Sequence, residues 1–148
     1  MNTKDIEKTV YDIHAFFTDW VGGRVPGDRD TFRRNALDVI ADGWVGIFPV
    51  GQPAGKKDFD GYMTSLYGTN PEFRIRISDL RVAHERDGIA VVNYKEWQRG
   101  AKDSDRASNG RVTTMVLGEK PSGSGIEILQ VHETWLPVEM QDAGDYDF

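Results

Sequence analysis

Halfway along the chain the period of its apolar residues changes from between three and four to two. Ile6, Val10, Ile13, Phe17 and Trp20 recur at steps of 4, 3, 4 and 3, the single stripe of an amphipathic helix. Phe73-Arg74-Ile75-Arg76-Ile77 instead alternates strictly, the mark of a strand with one buried face. Helices therefore come first and strands second, which is the order of an α+β domain with helices segregated to one face of an antiparallel sheet.

The local punctuation is consistent with that order. Asn2 or Thr3 caps the first helix, and Gly22-Gly23 ends it because glycine enters the left-handed region at little cost. Asp28 or Asp30 starts a second helix, with Phe32, Ala36, Leu37, Val39 and Ile40 inward and Gly43 as its stop. Trp44 to Val50 reads as a short strand, placed at a sheet edge by Pro49, which has no N–H for a ladder. Asp58 caps a third helix burying Phe59, Tyr62, Met63 and Leu66. The phase slip at Ser78-Asp79 predicts a β-bulge, and Asp87-Gly88 predicts a two-residue hairpin. Ile89–Gln98, Arg111–Leu117 and Ile126–Leu136 complete four long strands, with Arg99–Gly110 an exposed loop. A bulged sheet curls, and a curled sheet roofed by helices encloses a hollow of the kind that holds small molecules.

Composition narrows the function. The 148 residues suit one domain and include no cysteine, which excludes disulfides, thiol chemistry and cysteine-held zinc and makes a reducing cytoplasm the default location. No run of eighteen apolar residues crosses a membrane, and the start has no basic stretch followed by an apolar block, so no secretory signal is expected. The net charge is −6, yet residues 1–138 carry 18 basic side chains against 20 acidic ones. That balance gives no general attraction for nucleic-acid phosphates. Residues 139–148 hold the other four acids and read as a solvated, flexible tail. The three histidines lack metal-ligand spacing, and no phosphate-binding glycine motif is present, so neither a metal nor another cofactor is expected.

The element order resembles the nuclear transport factor 2-like superfamily over residues 3–138, in particular its SnoaL-like and ketosteroid-isomerase-like branch. The last strand, Ile126-Glu127-Ile128-Leu129-Gln130-Val131-His132-Glu133-Thr134-Trp135, is similar to the closing strand Trp-Lys-Ile-x-His-x-His-x-Ser of the SnoaL-like and kinase-association domains. His132 matches, whereas Ile126, Gln130 and Thr134 replace Trp, the first His and Ser. Tyr94-Lys95-Glu96-Trp97-Gln98 resembles a penultimate-strand segment of some SnoaL-like members. The resemblance implies a cone-shaped curved sheet, a cystatin-like roll with three amino-terminal helices on its concave side. It also implies a pocket inside the cone and a homodimer built on the outer sheet face. Family enzymes place an Asp, Glu or His in that pocket as general acid or base.

Glu133 is the first candidate for such a base. In the kinase-association branch its position points into the pocket, and strand alternation puts Leu129, Val131, Glu133 and Trp135 on one face. Burial would raise its pKa and suit it to proton abstraction. An ion pair with Arg111 on the neighbouring strand is the more common use of such a residue. Glu96 is the second candidate. If Tyr94, Glu96 and Gln98 face out, Lys95 and Trp97 face in, and the cost of an unpaired Lys95 indoors favours Glu96 inside. His132 faces away from Glu133 and is read as a packing or subunit-contact residue; His14 is read as a boundary residue of the first helix. Trp20, Trp44, Trp97, Trp135, Tyr62, Tyr94 and Arg111 are candidates to line the pocket, which would favour a small apolar or aromatic ligand. Three functions follow. A binding domain would have every pocket acid paired. A cofactor-independent isomerase, cyclase or dehydratase would have one unpaired acid of raised pKa. An oligomerisation module would have a filled cavity and an apolar outer sheet.

Overall fold

The computed structural model describes residues 1–148. Helix α1 spans Thr3–Val21, with the Asn2 side chain accepting from the Asp5 N–H at its start. Gly23, at φ 70°, turns the chain after it. Its inward stripe buries Ile6, Val10, Ile13, Phe16 and Trp20, and also His14. Each apolar member contributes about 1.5–3 kcal/mol of burial. The second helix is shorter than its periodicity predicts. Asp28 caps α2 (Arg29–Phe32), which continues as a π-helical turn over Arg33–Leu37. Ile40 then already belongs to strand β1 (Ile40–Ile47).

The six-stranded sheet runs in the order β2-β1-β6-β5-β4-β3, with β2 at Pro53–Gly55, β3 at Arg74–Arg86, β4 at Ile89–Arg99, β5 at Asn109–Glu119 and β6 at Ile126–Trp135. Helix α3 (Lys56–Ser65) follows Gly55, which rather than Asp58 is its cap. Two expectations about the sheet are corrected. Strand β1 is not an edge, because β2 pairs with it and Pro49 lies beyond its end. The sheet is mixed rather than wholly antiparallel, since β1 runs parallel to β6. A parallel neighbour needs a long crossover, and the whole of α3 and β3–β5 supplies it.

The predicted bulge is present. The β3–β4 register slips between Ser78 and Arg81, and Asp79 takes φ 55°. The Asp87-Gly88 turn has φ 52° and 77°, positive at both positions as a type I′ hairpin requires. A slip between β5 and β6 has no signal in the sequence. The β5–β6 register shifts where Val116 faces Gln130 but Leu117 faces Ile128. It sends Ile128 into the concave core in place of Leu129. The core lies between α1 and the concave face, where Ala90, Val92, Met115, Leu117 and Ile128 meet Ile6 and Val10.

The acidic tail is not a loose end in this structure. Val138–Asp142 form helix α4, Gln141 is buried, and Tyr146 packs edge-on against Trp97. Pro137, extended at the start of α4, and the tight fit of Gly144 on the Trp97 ring direct the chain there. No helix is long and apolar enough to cross a membrane.

Candidate functional site: a cavity floored by a buried charge cluster

The ladder of the sheet sets the site out in rows. Tyr94, Thr113 and Glu133 are register partners across β4, β5 and β6, and Glu96, Arg111 and Trp135 form the next row. All six point to the concave side. Glu96, Arg111 and Glu133 are each at most 9% exposed, a depth at which an unpaired charge would not survive. Arg111 Nη1 donates to Glu133 Oε2 at 2.9 Å, its Nη2 donates to Asn109 Oδ1 at 3.0 Å, and its Nε lies 3.8 Å from Glu96 Oε2. The guanidinium also stacks on Trp135, 4.7 Å from the ring centre.

His14 completes the cluster. Its Nδ1 lies 2.7 Å from the Val10 carbonyl and its Nε2 lies 3.0 Å from Glu96 Oε1. A carbonyl oxygen only accepts, so Nδ1 carries hydrogen and donates. One further proton then sits between Nε2 and Glu96. Burial lowers the pKa of His14, but the hydrogen bond and charge of Glu96 outweigh it and leave the imidazole above its usual value. The imidazolium form therefore donates to a Glu96 carboxylate. Burial raises the pKa of Glu96; the His14 bond and the Arg111 charge win and hold it at about 2. Gln98 Nε2 occupies its other oxygen at 2.6 Å. Glu133 goes the other way: burial and the Glu96 charge push it up to about 7 despite Arg111. Tyr94, whose hydroxyl is 3.4 Å from His14 Nε2, is held protonated, its pKa pushed well up by burial.

Above this floor lies a cavity of about 1150 Å³, walled by Phe17, Trp44, Phe48, Phe59 and Met115. Val50, Tyr62 and Val138 stand exposed at its rim. All polar atoms of Arg111, Glu96 and His14 are bonded to each other or to their neighbours, or are buried from solvent. Glu133 Oε1 is the exception, having no protein donor while its residue lines the cavity.

The candidate residues fall into three groups. Glu96, Glu133, Tyr94 and Arg111 converge on the floor, Trp44 is in the wall, and Trp135 lies over Arg111 at the mouth. Tyr62 is 58% exposed and reaches only the rim. Trp20 and Trp97 do not line the cavity. Trp20 is core, its indole donating to the Met63 carbonyl at 2.8 Å. Trp97 lies on the convex face, bonded to Ser78 Oγ at 2.9 Å. Lys95 is outside with it, paired to Asp79. His132 is exposed on the convex side, opposite in facing to Glu133. His14, read from the sequence as a boundary residue, is instead a buried member of the cluster. Its signal was present, because it lies four positions after Val10 and one after Ile13 on the buried stripe.

No sequence-family model matches the chain, and no curated protein matches it. Solved structures define its fold. A nuclear transport factor 2-like protein of unknown function from Pseudomonas aeruginosa superposes with a TM-score of 0.77 at 20% identity, covering 90% of this chain and 99% of that one. One from Cytophaga hutchinsonii gives 0.70 at 16%, covering 92% and 100%. The association domain of the Caenorhabditis elegans calcium/calmodulin-dependent protein kinase II gives 0.61 at 13%, covering 90% and 99%. The chain has the nuclear transport factor 2-like fold.

Proposed function

We propose that this protein binds a small, largely apolar or aromatic molecule in the concave cavity, with Glu133 as its polar anchor. The observation that carries this reading is the pairing of both buried acids. Glu96 is committed to His14 and Gln98, and Glu133 keeps one oxygen on Arg111. At the buried floor, beneath aromatic walls, a ligand therefore meets a single open carboxyl oxygen, which is orientation chemistry. A solidly filled cone, as a pure oligomerisation module would have, is at odds with the cavity volume.

Acid–base catalysis of the isomerase, cyclase or dehydratase type is the second reading. The specific observation in its favour is the Glu133 carboxyl, raised to about 7, where a group both gives and takes a proton at neutral pH. Pairing of subunits through the convex face fits the part of that face left bare, where Val112 is 39% exposed beside Thr114, His132 and Thr134.

Native mass spectrometry of freshly purified protein tests the binding reading and counts subunits in the same spectrum. A co-purifying small molecule that is lost in Glu133→Gln, with the subunit count unchanged, is the expected result. A protein that carries nothing, and takes up no apolar aromatic probe such as 2-naphthol, overturns it. Turnover of a bound carbonyl compound that stops in Glu133→Gln would establish the second reading.

A further inference from the structure

Beyond the cavity, the back of the sheet carries a second built feature. The β3–β4 register sets Arg74 beside Arg99 and Arg76 beside Trp97 on the convex face. Residues Gly144–Phe148 lie across them. Arg76 has the Trp97 ring centre at 5.7 Å on one side and the Phe148 ring centre at 5.3 Å on another. The Arg99 guanidinium lies 5.6 Å from the same Phe148 ring. Arg76 Nη2 donates to the Asp145 carbonyl at 2.9 Å, and Tyr146 meets Trp97 edge-on at 5.9 Å. A Cβ added to Gly144 would stand 2.7 Å from the Trp97 ring, so only glycine lets the backbone lie this close.

The fit is incomplete in one respect. Arg76 Nε and Arg99 Nε are both buried with no acceptor. Two guanidinium donors without acceptors are costly. The carboxylates of Asp145 and Asp147 make no ion pair with either arginine. A segment that seats its aromatic ring in the same place and turns a carboxylate inward would satisfy what this strap leaves open.

We propose that Arg76, Trp97 and Arg99 form a docking site for an acidic–aromatic peptide segment of a partner protein, and that residues Gly144–Phe148 occupy it as a tethered competitor. The chemistry is charge complementarity together with cation–π stacking on guanidinium, which is worth roughly 0.5–2 kcal/mol for each contact. Tethering gives the strap an effective concentration on the order of millimolar, so an outside segment gains access only when it binds more tightly or when the strap is loosened.

The test uses the full chain and a fluorescent synthetic peptide with the sequence of residues 143–148. Two variants loosen the strap by different means: Tyr146→Ala with Phe148→Ala removes its rings, and Gly144→Ala lifts its backbone off Trp97. Both should bind the peptide saturably, at least about tenfold more tightly than the unmodified chain does. Adding Arg76→Ala to either variant should abolish the gain, and a peptide with both Asp changed to Asn should bind more weakly. Sedimentation of the same samples reports self-association. Absence of saturable binding to both loosened variants, with their circular dichroism unchanged, overturns the proposal. So does equal binding to the unmodified chain, or self-association of the variants without peptide binding, which would make the patch a contact between copies.

Discussion

At the scale of single residues, two glutamates on one concave face are driven in opposite directions by their neighbours. Glu96 has a cation on one oxygen and an amide on the other, so its charge is kept. Glu133 has Arg111 on one oxygen only and the Glu96 charge nearby, so its charge resists. The Glu133 shift has a consequence for stability. Its folded pKa of about 7 exceeds the ordinary 4.5, so between these values the folded state holds a proton that the unfolded chain has released. Its contribution is full below the unfolded value and is lost as pH rises through the folded one. His14, also raised, acts above its ordinary 6.5, and Glu96, lowered, acts below 4.5. The interval from about pH 5 to 6 therefore isolates Glu133. Urea unfolding there should show stability falling with pH by up to about 1.4 kcal/mol per pH unit for one proton. Glu133→Gln should remove that slope. A slope identical in the two proteins would place the Glu133 proton elsewhere.

Elements show how much of the molecule is written locally. The α1 stripe, the Asp87-Gly88 hairpin and the Ser78-Asp79 bulge follow from side-chain period and turn chemistry alone, and each is where the sequence puts it except that α1 buries Phe16 and turns Phe17 to the cavity. Alternation likewise placed Glu96 inside, since the neighbouring Lys95 had to be out. What stayed hidden needed partners distant in sequence. His14 looks marginal on α1 until Glu96 arrives from 82 residues away. The bulge at Leu129 is silent because Ile128 and Leu129 are both apolar, so the slip leaves no change in pattern. The strap is masked by its own acids: Asp145 and Asp147 suggest solvent, while Tyr146 and Phe148, alternating with them, do the packing. The loop after β4 shows the same tension between polarity and anchoring. Gly100 takes φ 69°, and a Cβ on it would stand 2.5 Å from the Glu72 carbonyl oxygen. Asn70 holds its carbonyl at 2.7 Å, and Lys102 reaches the Thr69 carbonyl at 2.6 Å. Gly100→Ala should therefore cost more than about 1 kcal/mol and expose residues 101–108 to limited proteolysis. A variant that unfolds within about 0.5 kcal/mol of the parent, the range of an ordinary surface change, and resists cleavage would show the loop is held by other contacts.

Across the whole molecule the sheet is tied unevenly. Strands β4 and β5 are both interior to the sheet and pair continuously from Ile89 opposite Gly118 to Gln98 opposite Asn109. Toward the Asp87-Gly88 turn their concave side is packed core, where Ala90, Val92 and Leu117 are 0% exposed. At the other flank β2 contributes only Pro53, Ala54 and Gly55 to its ladder, and the β1–β6 pairing is broken by a register shift between Ile40 and Val45. That flank borders the cavity, with Ala54 in its wall, so fewer side chains support it from within. Local opening costs little where few apolar contacts and short ladders must be broken, and reaches the global free energy only in the core. Native-state hydrogen exchange should accordingly rank the backbone. Amides of Val92, Tyr94, Thr113 and Met115 should exchange only through global unfolding, whereas Ala54 and Gly55 should exchange through openings several kcal/mol cheaper, within a typical total of about 5–15 kcal/mol. A molecule seated in the cavity binds the closed form and should slow the β2 amides while leaving the β4–β5 order unchanged. Equal protection of β2 and the β4–β5 centre in the empty protein would mean that the hollow side is as firmly closed as the packed one, and that a ligand enters by a route other than this flank.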